Sequence, residues 1–345
     1  MRAIFLSLSV MLAGCAATAV STADTPSGAE KWTYQAAVDD LRKRSCPEGT
    51  DFQRADPLSL RIIEAERGSE DDRNQNLSGL ELVGAWHLKS NESKFGGLSG
   101  IDVLDSGSLL LVTDDGKFVW IGIDAATGTP DGFANMADMR DETGRIFRHK
   151  RAADSEDLAL RDGLAFVSFE QDHRIQVYDL ETCGAAAHGA LLTNLDRVVD
   201  EQILENNRGG EALAFNGDEL TVGFETRNIT GSPIATLQID GSFADTYRTE
   251  QPLLFLLTGM DQAFDLSATL FRAYDPIRGA RGLVKVESSE GLIAQARLHG
   301  GLPADNYEGV AIGRNPAGGI RIWVVSDDNF SRDQRTLLLA LDLIE

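Results

Sequence analysis

Gly209-Gly210-Glu211-Ala212-Leu213-Ala214-Phe215, followed by an apolar run at 220–224 that ends in Glu225, is one copy of a unit that recurs along the chain. Asp154-Ser155-Glu156-Asp157-Leu158-Ala159-Leu160, with 165–169 and Glu170, repeats it. In both copies the two glutamates stand fourteen residues apart. Upstream lies Gly97-Leu98-Ser99-Gly100-Ile101-Asp102-Val103, with 109–113 and Asp114-Asp115. Downstream lie Gly259-Met260-Asp261-Gln262-Ala263-Phe264 with 268–271, and Asn306-Tyr307-Glu308-Gly309-Val310-Ala311-Ile312 with 322–326 and Asp327-Asp328. A third apolar run follows each, at 118–123, 175–180, 234–239, 283–286 and 337–343.

The runs have strand length, are bounded by Gly, Asp and Asn, and show little helical period. Antiparallel units of three or four strands, repeated at tens of residues, predict an all-β fold of the β-propeller type. One unit cannot bury its own faces, so the units must stack in a ring. Five blades are counted. Six are the alternative, because 196–208 and the 40s to 70s fit no unit. Residues 80–88 read as a lone strand, and the last unit stops at its third strand. The lone strand is therefore expected to complete the last blade and close the ring.

In a propeller the first strand of each blade lines the central channel. Its start and the end of the second strand share one mouth. Glu156, Glu211, Asp261 and Glu308 are placed at first-strand starts, with Ser99 in the first unit. Asp114, Glu170, Glu225 and Asp327 are placed at second-strand ends. So many carboxylates would repel unless protonated or neutralised by a cation. Carboxylate oxygens are ligands of Ca²⁺ or another hard divalent cation. The five histidines show no paired spacing, which argues against zinc. The predicted metal set is Glu156, Glu211, Asp261 and Glu308, with Asp114, Glu170 and Asp327 beside them. The competing reading makes these residues turn formers and solvated rim charges, and Asp102, Asp105 and Asp162 are assigned to that class. Arg227, Arg272, Arg278 and Arg335 could hold an anion near the mouth, against a competing reading as surface salt bridges. Arg272, Arg335 and Ser99 are the candidate substrate contacts. Gly97-Leu98-Ser99-Gly100-Ile101 lacks the last glycine of a nucleophile elbow, and no phosphate-cradling Gly-Lys loop occurs. No catalytic residue is assigned.

Lys and Arg total 32 against 54 Asp and Glu, a net charge of −22. That excludes a nucleic-acid partner, which needs facing cations, and a basic membrane patch. Residues 1–14 carry one charge and an apolar run too short to span a bilayer, the layout of an export signal. It ends Leu12-Ala13-Gly14-Cys15, which resembles a bacterial lipobox with Cys15 lipidated. The expected place is the periplasmic side of the cell envelope, with the outer membrane favoured and the lipid as the only membrane contact. An ordinary signal peptide is the alternative. Residues 15–30 read as the lipidated end of a flexible tether. Residues 31–79 read as a segment packed on the propeller of 80–345. Cys46 and Cys183 are a candidate disulfide in an oxidising compartment, two separate buried thiols being the alternative.

Beyond these patterns the chain resembles the phytase-like family, described as having esterase-like activity of phytase. The resemblance rests on Phe95-Gly96-Gly97-Leu98-Ser99-Gly100, Thr113-Asp114-Asp115-Gly116, Asp154-Ser155-Glu156-Asp157, Asn207-Arg208-Gly209-Gly210-Glu211 and Asp305-Asn306-Tyr307-Glu308-Gly309. Its most specific part is Ser326-Asp327-Asp328-Asn329-Phe330 with Gln334-Arg335-Thr336. It implies a propeller and cation-assisted hydrolysis of a phosphoester or ester. The chain departs from the family pattern at Asp115, at Gln171 and at Arg272-Ala273, where the family usually has Arg, Arg and Glu-Arg. The expected function is therefore a monomeric, cation-dependent hydrolase of a small anionic or ester substrate. The alternatives are a non-catalytic ligand- or protein-binding propeller of the envelope, and a lactonase-like hydrolase.

Overall fold

Each of the five sequence units folds into an antiparallel blade, and the inner strands are Leu98–Val103, Ser155–Arg161, Gly210–Asn216, Leu256–Ala263 and Asn306–Arg314. The computed structural model describes residues 34–195, 198–199, 202–203, 209–227 and 231–344. The expected export signal, Cys15 and the expected tether lie outside these residues, as do Asn207 and Arg208. Each inner strand packs against the inner strand of the next blade, and the fifth packs against the first. Five blades therefore close the ring, and the six-blade alternative falls.

Closure follows from the expected strand exchange. Leu80–Ser90 pairs antiparallel with Leu337–Leu343, the third strand of blade five, and supplies that blade's fourth strand. Five apolar cores lie between neighbouring blades. Phe166 of blade two meets Phe215 of blade three edge-on, with ring centroids 4.9 Å apart. Phe118 and Tyr178 do the same between blades one and two, at 5.1 Å. Each such side chain, fully buried, stabilises the fold by about 1.5–3 kcal/mol. The core between blades three and four is built around Leu257, Phe271 and Ile234 and is small.

The segment before the propeller is folded onto it. Helix Tyr34–Ser45 turns Ala37, Val38 and Leu41 inward, a stripe of one helical face, against blades two and three. Its last residue is fixed by two bonds: Ser45 Oγ donates to His188 O at 2.7 Å and accepts from Asp179 N at 2.7 Å. Cys46 and Cys183 are joined by a disulfide, with Cα atoms 5.8 Å apart. Asp56–Pro57, Leu60–Glu64 and Leu77–Ser78 then add to the outer edges of blades one, five and four. This covers edges that would otherwise offer unpaired backbone groups. Among the described residues no helix is long and apolar enough to cross a membrane.

Candidate functional site

The pairing of inner and second strands carries one irregularity in every blade, at the same place. The register shifts between Leu98 and Gly100, Gly210 and Ala212, Leu257 and Gly259, and Tyr307 and Gly309. In blade two it shifts opposite Val167 and Phe169, so Glu156 takes the extra position. A bulge of this kind re-aims the side chain it carries. The five bulged residues are Ser99, Glu156, Glu211, Thr258 and Glu308. The residues that stand next to them in register on the second strands are Asp114, Glu170, Glu225, Arg272 and Asp327; the first three and Asp327 fall at the strand ends, whereas the strand of Arg272 runs on to Asp275.

Two sequence-based placements are corrected by this register. Blade four presents Thr258 and Arg272 at the mouth, not Asp261. Asp261 stands three residues further along the inner strand, at the level of Asp102. There Asp102 Oδ2 accepts from Leu160 N at 2.7 Å and Asp261 Oδ2 from Ile312 N at 2.6 Å, and nearer the mouth, beside Gly100, Asp157 Oδ2 accepts from Leu213 N at 2.8 Å. In each case the donor belongs to the next blade. Each of the three also accepts from the amide of the residue that follows it. Asp102 is therefore an inter-blade staple and not a turn residue. Asp105 and Asp162 are exposed, as expected of turn positions. Burial lifts Asp102 and Asp157 well above the usual carboxylate range, and Asp261 to about 6. The strands converge so closely here that a Cβ on Gly100 would lie 2.7 Å from the Asp157 Cα.

At the mouth, Asp154, Glu156 and Glu170 can each bring one oxygen within 4.8 Å of the others. Asp154 was quoted in the sequence unit but left out of the ligand set. Lys150 stands beside the cluster, its Nζ 2.6 Å from Asp114 Oδ2 and 3.6 Å from Asp154 Oδ1. The other oxygen, Asp114 Oδ1, is buried and has no hydrogen-bond partner. Gly97 makes room for it: its φ is +62°, and a Cβ there would collide with that oxygen. Gln171 donates to Asp154 Oδ2.

Opposite lies Arg272. Its guanidinium donates to Asn306 Oδ1 at 2.8 Å, to Glu225 Oε2 at 3.2 Å and to Glu308. Burial disfavours the charge, but Glu308, Glu225 and Glu211 more than offset it, so the arginine is held charged. The carboxylates move the other way. Burial first, then neighbouring carboxylates, push Glu156 and Glu211 well above their usual range. Glu170 and Glu308 rise to about 8 and Asp327 to about 7, again chiefly through burial. Asp154 and Asp114 rise as well, with Lys150 partly opposing.

The remaining predicted contacts have structural tasks. Ser99 is buried, and its hydroxyl donates to Ser155 O at 2.7 Å, tying blade one to blade two. Arg335 is 3.0 Å from Asp305 and lines a cavity beside the mouth. Arg278 sits exposed in a hairpin turn. In the Asp327-Asp328-Asn329-Phe330 stretch, Asp328 is a clasp: it accepts from Gly97 N at 3.0 Å, Phe330 N at 3.0 Å and Thr336 Oγ1 at 3.0 Å. It holds the start of blade one against the end of blade five.

Comparison with known proteins adds the family. No curated protein matches the sequence. Among solved structures, similarity extends to the glutaminyl cyclase of Myxococcus xanthus, at 11% identity over 77% of this chain and 97% of that one, with a TM-score of 0.43. It extends also to the PQQ-bound aldose sugar dehydrogenase of Streptomyces coelicolor, at 15% identity over 77% and 98%, with a TM-score of 0.41. A thermostable family-43 glycoside hydrolase aligns at 9% identity over 71% and 89%, with a TM-score of 0.44. Likenesses this distant carry nothing about chemistry. The family model described as phytase-like, esterase-like activity of phytase, matches residues 93–251 and 264–330, which span all five blades, and the chain belongs to that family.

Proposed function

We propose that the protein is a cation-dependent hydrolase of phosphate or carboxylic esters that works at the acidic mouth of the channel. One observation carries the reading: the oxygens of Asp154, Glu156 and Glu170 converge beside a buried, unpartnered Asp114 oxygen. An orphaned acceptor in a desolvated wall costs free energy unless something binds it. The donors are all carboxylate oxygens, which fits Ca²⁺ or a similar hard cation. Asp154, Glu156, Glu170 and Asp114 would hold it, with Glu211 and Asp327 near. Such a cation supplies charge neutralisation and polarisation of a phosphoryl or carbonyl oxygen.

The chain's own groups divide the rest of the work. Arg272, held charged by three glutamates, offers a guanidinium to an anionic oxygen of the substrate. Glu308, which burial pushes up to about 8 against the pull of Arg272, is oriented by Asn306, whose Nδ2 donates to it at 2.7 Å, and in its protonated form it has a proton to give. It can hand that proton to the departing alkoxide as water displaces it. Arg272-Ala273 stands where the family usually has Glu-Arg, so one carboxylate is lost and a guanidinium takes its place, with no net gain of cations. This favours a substrate with an anionic group. Lipidation at Cys15 and an envelope location belong to the same proposal, resting on the Leu12-Ala13-Gly14-Cys15 pattern. Fractionation of a Cys15→Ser variant tests them: it should leave the membrane fraction.

The decisive assay measures phosphate or alcohol release from a generic phosphomonoester and a generic carboxylic ester, with Ca²⁺ and with chelator. Release abolished by chelation supports the reading. No turnover of either ester, with calorimetric Ca²⁺ binding intact, would leave a binding propeller instead.

A further inference from the structure

A cavity of about 1360 Å³ opens directly beside Arg272, between the ends of blades four and five. Its polar wall mixes arginines with Asp275, Asp305 and Asp333, and Arg281 and Arg335 are paired to the first two of these at 3.0 Å. Arg227 is exposed and makes no ion pair among the described residues, and Arg335 and Arg281 stand near it. Its other wall is apolar. Leu253, Leu254 and Tyr274 line it at 73%, 74% and 76% exposure. Large apolar side chains so open to water, grouped beside a site, mark a place where something apolar binds.

The apolar wall is built. Phe255 N donates to Pro252 O at 3.0 Å and closes a turn around Leu253 and Leu254. Leu254 sits in this turn at φ +70°, a conformation that ordinarily calls for glycine. Gln251 fixes the turn from beneath: its amide donates to Thr226 O at 3.0 Å and to Phe255 O, and it accepts from Ser232 Oγ at 2.5 Å. A bulky side chain kept in a disfavoured backbone state, on an anchored turn, with its apolar surface in water, points to a function for that surface. Tyr274 lies two residues beyond Arg272 on the same strand, so both project from one face of blade four.

We propose that the substrate is amphiphilic: a phosphate ester of an alcohol bearing an apolar chain. The phosphate lies at Arg272 and the acidic mouth, and the chain lies along Leu253, Leu254 and Tyr274. This rests on the hydrolase reading for the fate of the phosphate, but the placement of the chain stands on the cavity alone.

The test is calorimetric binding of butyl, hexyl and octyl phosphate below their aggregation concentrations, to the parent with and without Ca²⁺. Affinity should rise about two- to four-fold per added methylene, the range for partial to full burial of each group. Leu253→Ser combined with Leu254→Gly should flatten that rise, and glycine at 254 suits its backbone. Tyr274→Ser, at an exposed site, provides a second variant should the first fail to fold. Equal affinity for all three chain lengths in the parent, or an unchanged rise in the folded variants, overturns the proposal. The two readings separate cleanly. A chain-length rise without hydrolysis refutes the hydrolase and keeps the amphiphile. Hydrolysis without a chain-length rise does the reverse.

Discussion

Lys150 Nζ lies 2.6 Å from Asp114 Oδ2, while the second oxygen of that carboxylate is buried without a partner. The lysine therefore stands as an internal cation at the edge of the candidate metal site. It balances part of the negative charge and would repel an incoming Ca²⁺. Lys150→Met should strengthen Ca²⁺ binding about five- to ten-fold, the size of one modest charge–charge term at short range in a protein surface. Calorimetric titration reads this directly, and weaker binding would mean that the lysine orients the carboxylates instead.

Glu156→Gln with Glu170→Gln removes two of the three converging charges and keeps their shape. Ca²⁺ binding should be lost. In chelator the variant should melt a few degrees above the parent, because the burial of two ionisable groups, and after it their mutual repulsion, no longer opposes folding. A thermal scan with and without Ca²⁺ checks both halves.

The same shifts fix a pH dependence. Burial pushes Glu170 and Glu308 up to about 8 and Asp327 to about 7, against 4.5 and 3.8 for the free side chains. The native state thus holds protons that the unfolded state has already released. Stability from these groups is full below about pH 4 and falls as pH rises towards 8. In chelator, the melting temperature should drop between pH 5.5 and 8. Saturating Ca²⁺ should reduce that drop, and its binding near pH 6.5 should release protons, visible as a buffer-dependent heat.

Gly97→Ala should abolish the Ca²⁺ response by a different route. The methyl would press on Asp114 Oδ1, and alanine is strained at φ +62°. Activity should fall with binding, while the far side of the ring stays intact by hydrogen exchange.

The Cys46–Cys183 bridge spans 137 residues of sequence. Loop entropy alone assigns it about 5 kcal/mol. Replacing both cysteines by serine should lower the melting temperature by as much as about 10 °C. It should leave Ca²⁺ affinity unchanged, because the bridge pins the N-terminal helix and touches no residue of the mouth.

The blades were legible because strand length, turn residues and the fourteen-residue spacing of Glu156–Glu170 and Glu211–Glu225 are local properties. The reading slipped in blade four. Thr258 carries no charge, so in the sequence the nearest acid, Asp261, stands out at that position instead. Only the strand register, set by Leu257 opposite Phe271, reveals the shift. Asp102 was taken for a turn former because its partner, Leu160 N, comes from the next blade. The grip of Arg272 on Glu225 and Glu308 was likewise out of reach, since three blades must be in place before those groups meet.

Blade five is stitched from both sides of the chain, with Leu80–Ser90 paired to Leu337–Leu343. During synthesis the early strand can pair on one edge with Leu60–Glu64, but its other edge stays open until the late strand emerges. The acidic mouth depends on the same event, because Gly97 and Asp328 meet only when blades one and five do. A ribosome-bound, incomplete chain can hold neither the ring nor the acidic mouth. Assembly then waits on contacts distant in sequence, which makes folding slow and leaves open strand edges exposed meanwhile. The chain's last strand is thus the one on which ring closure waits.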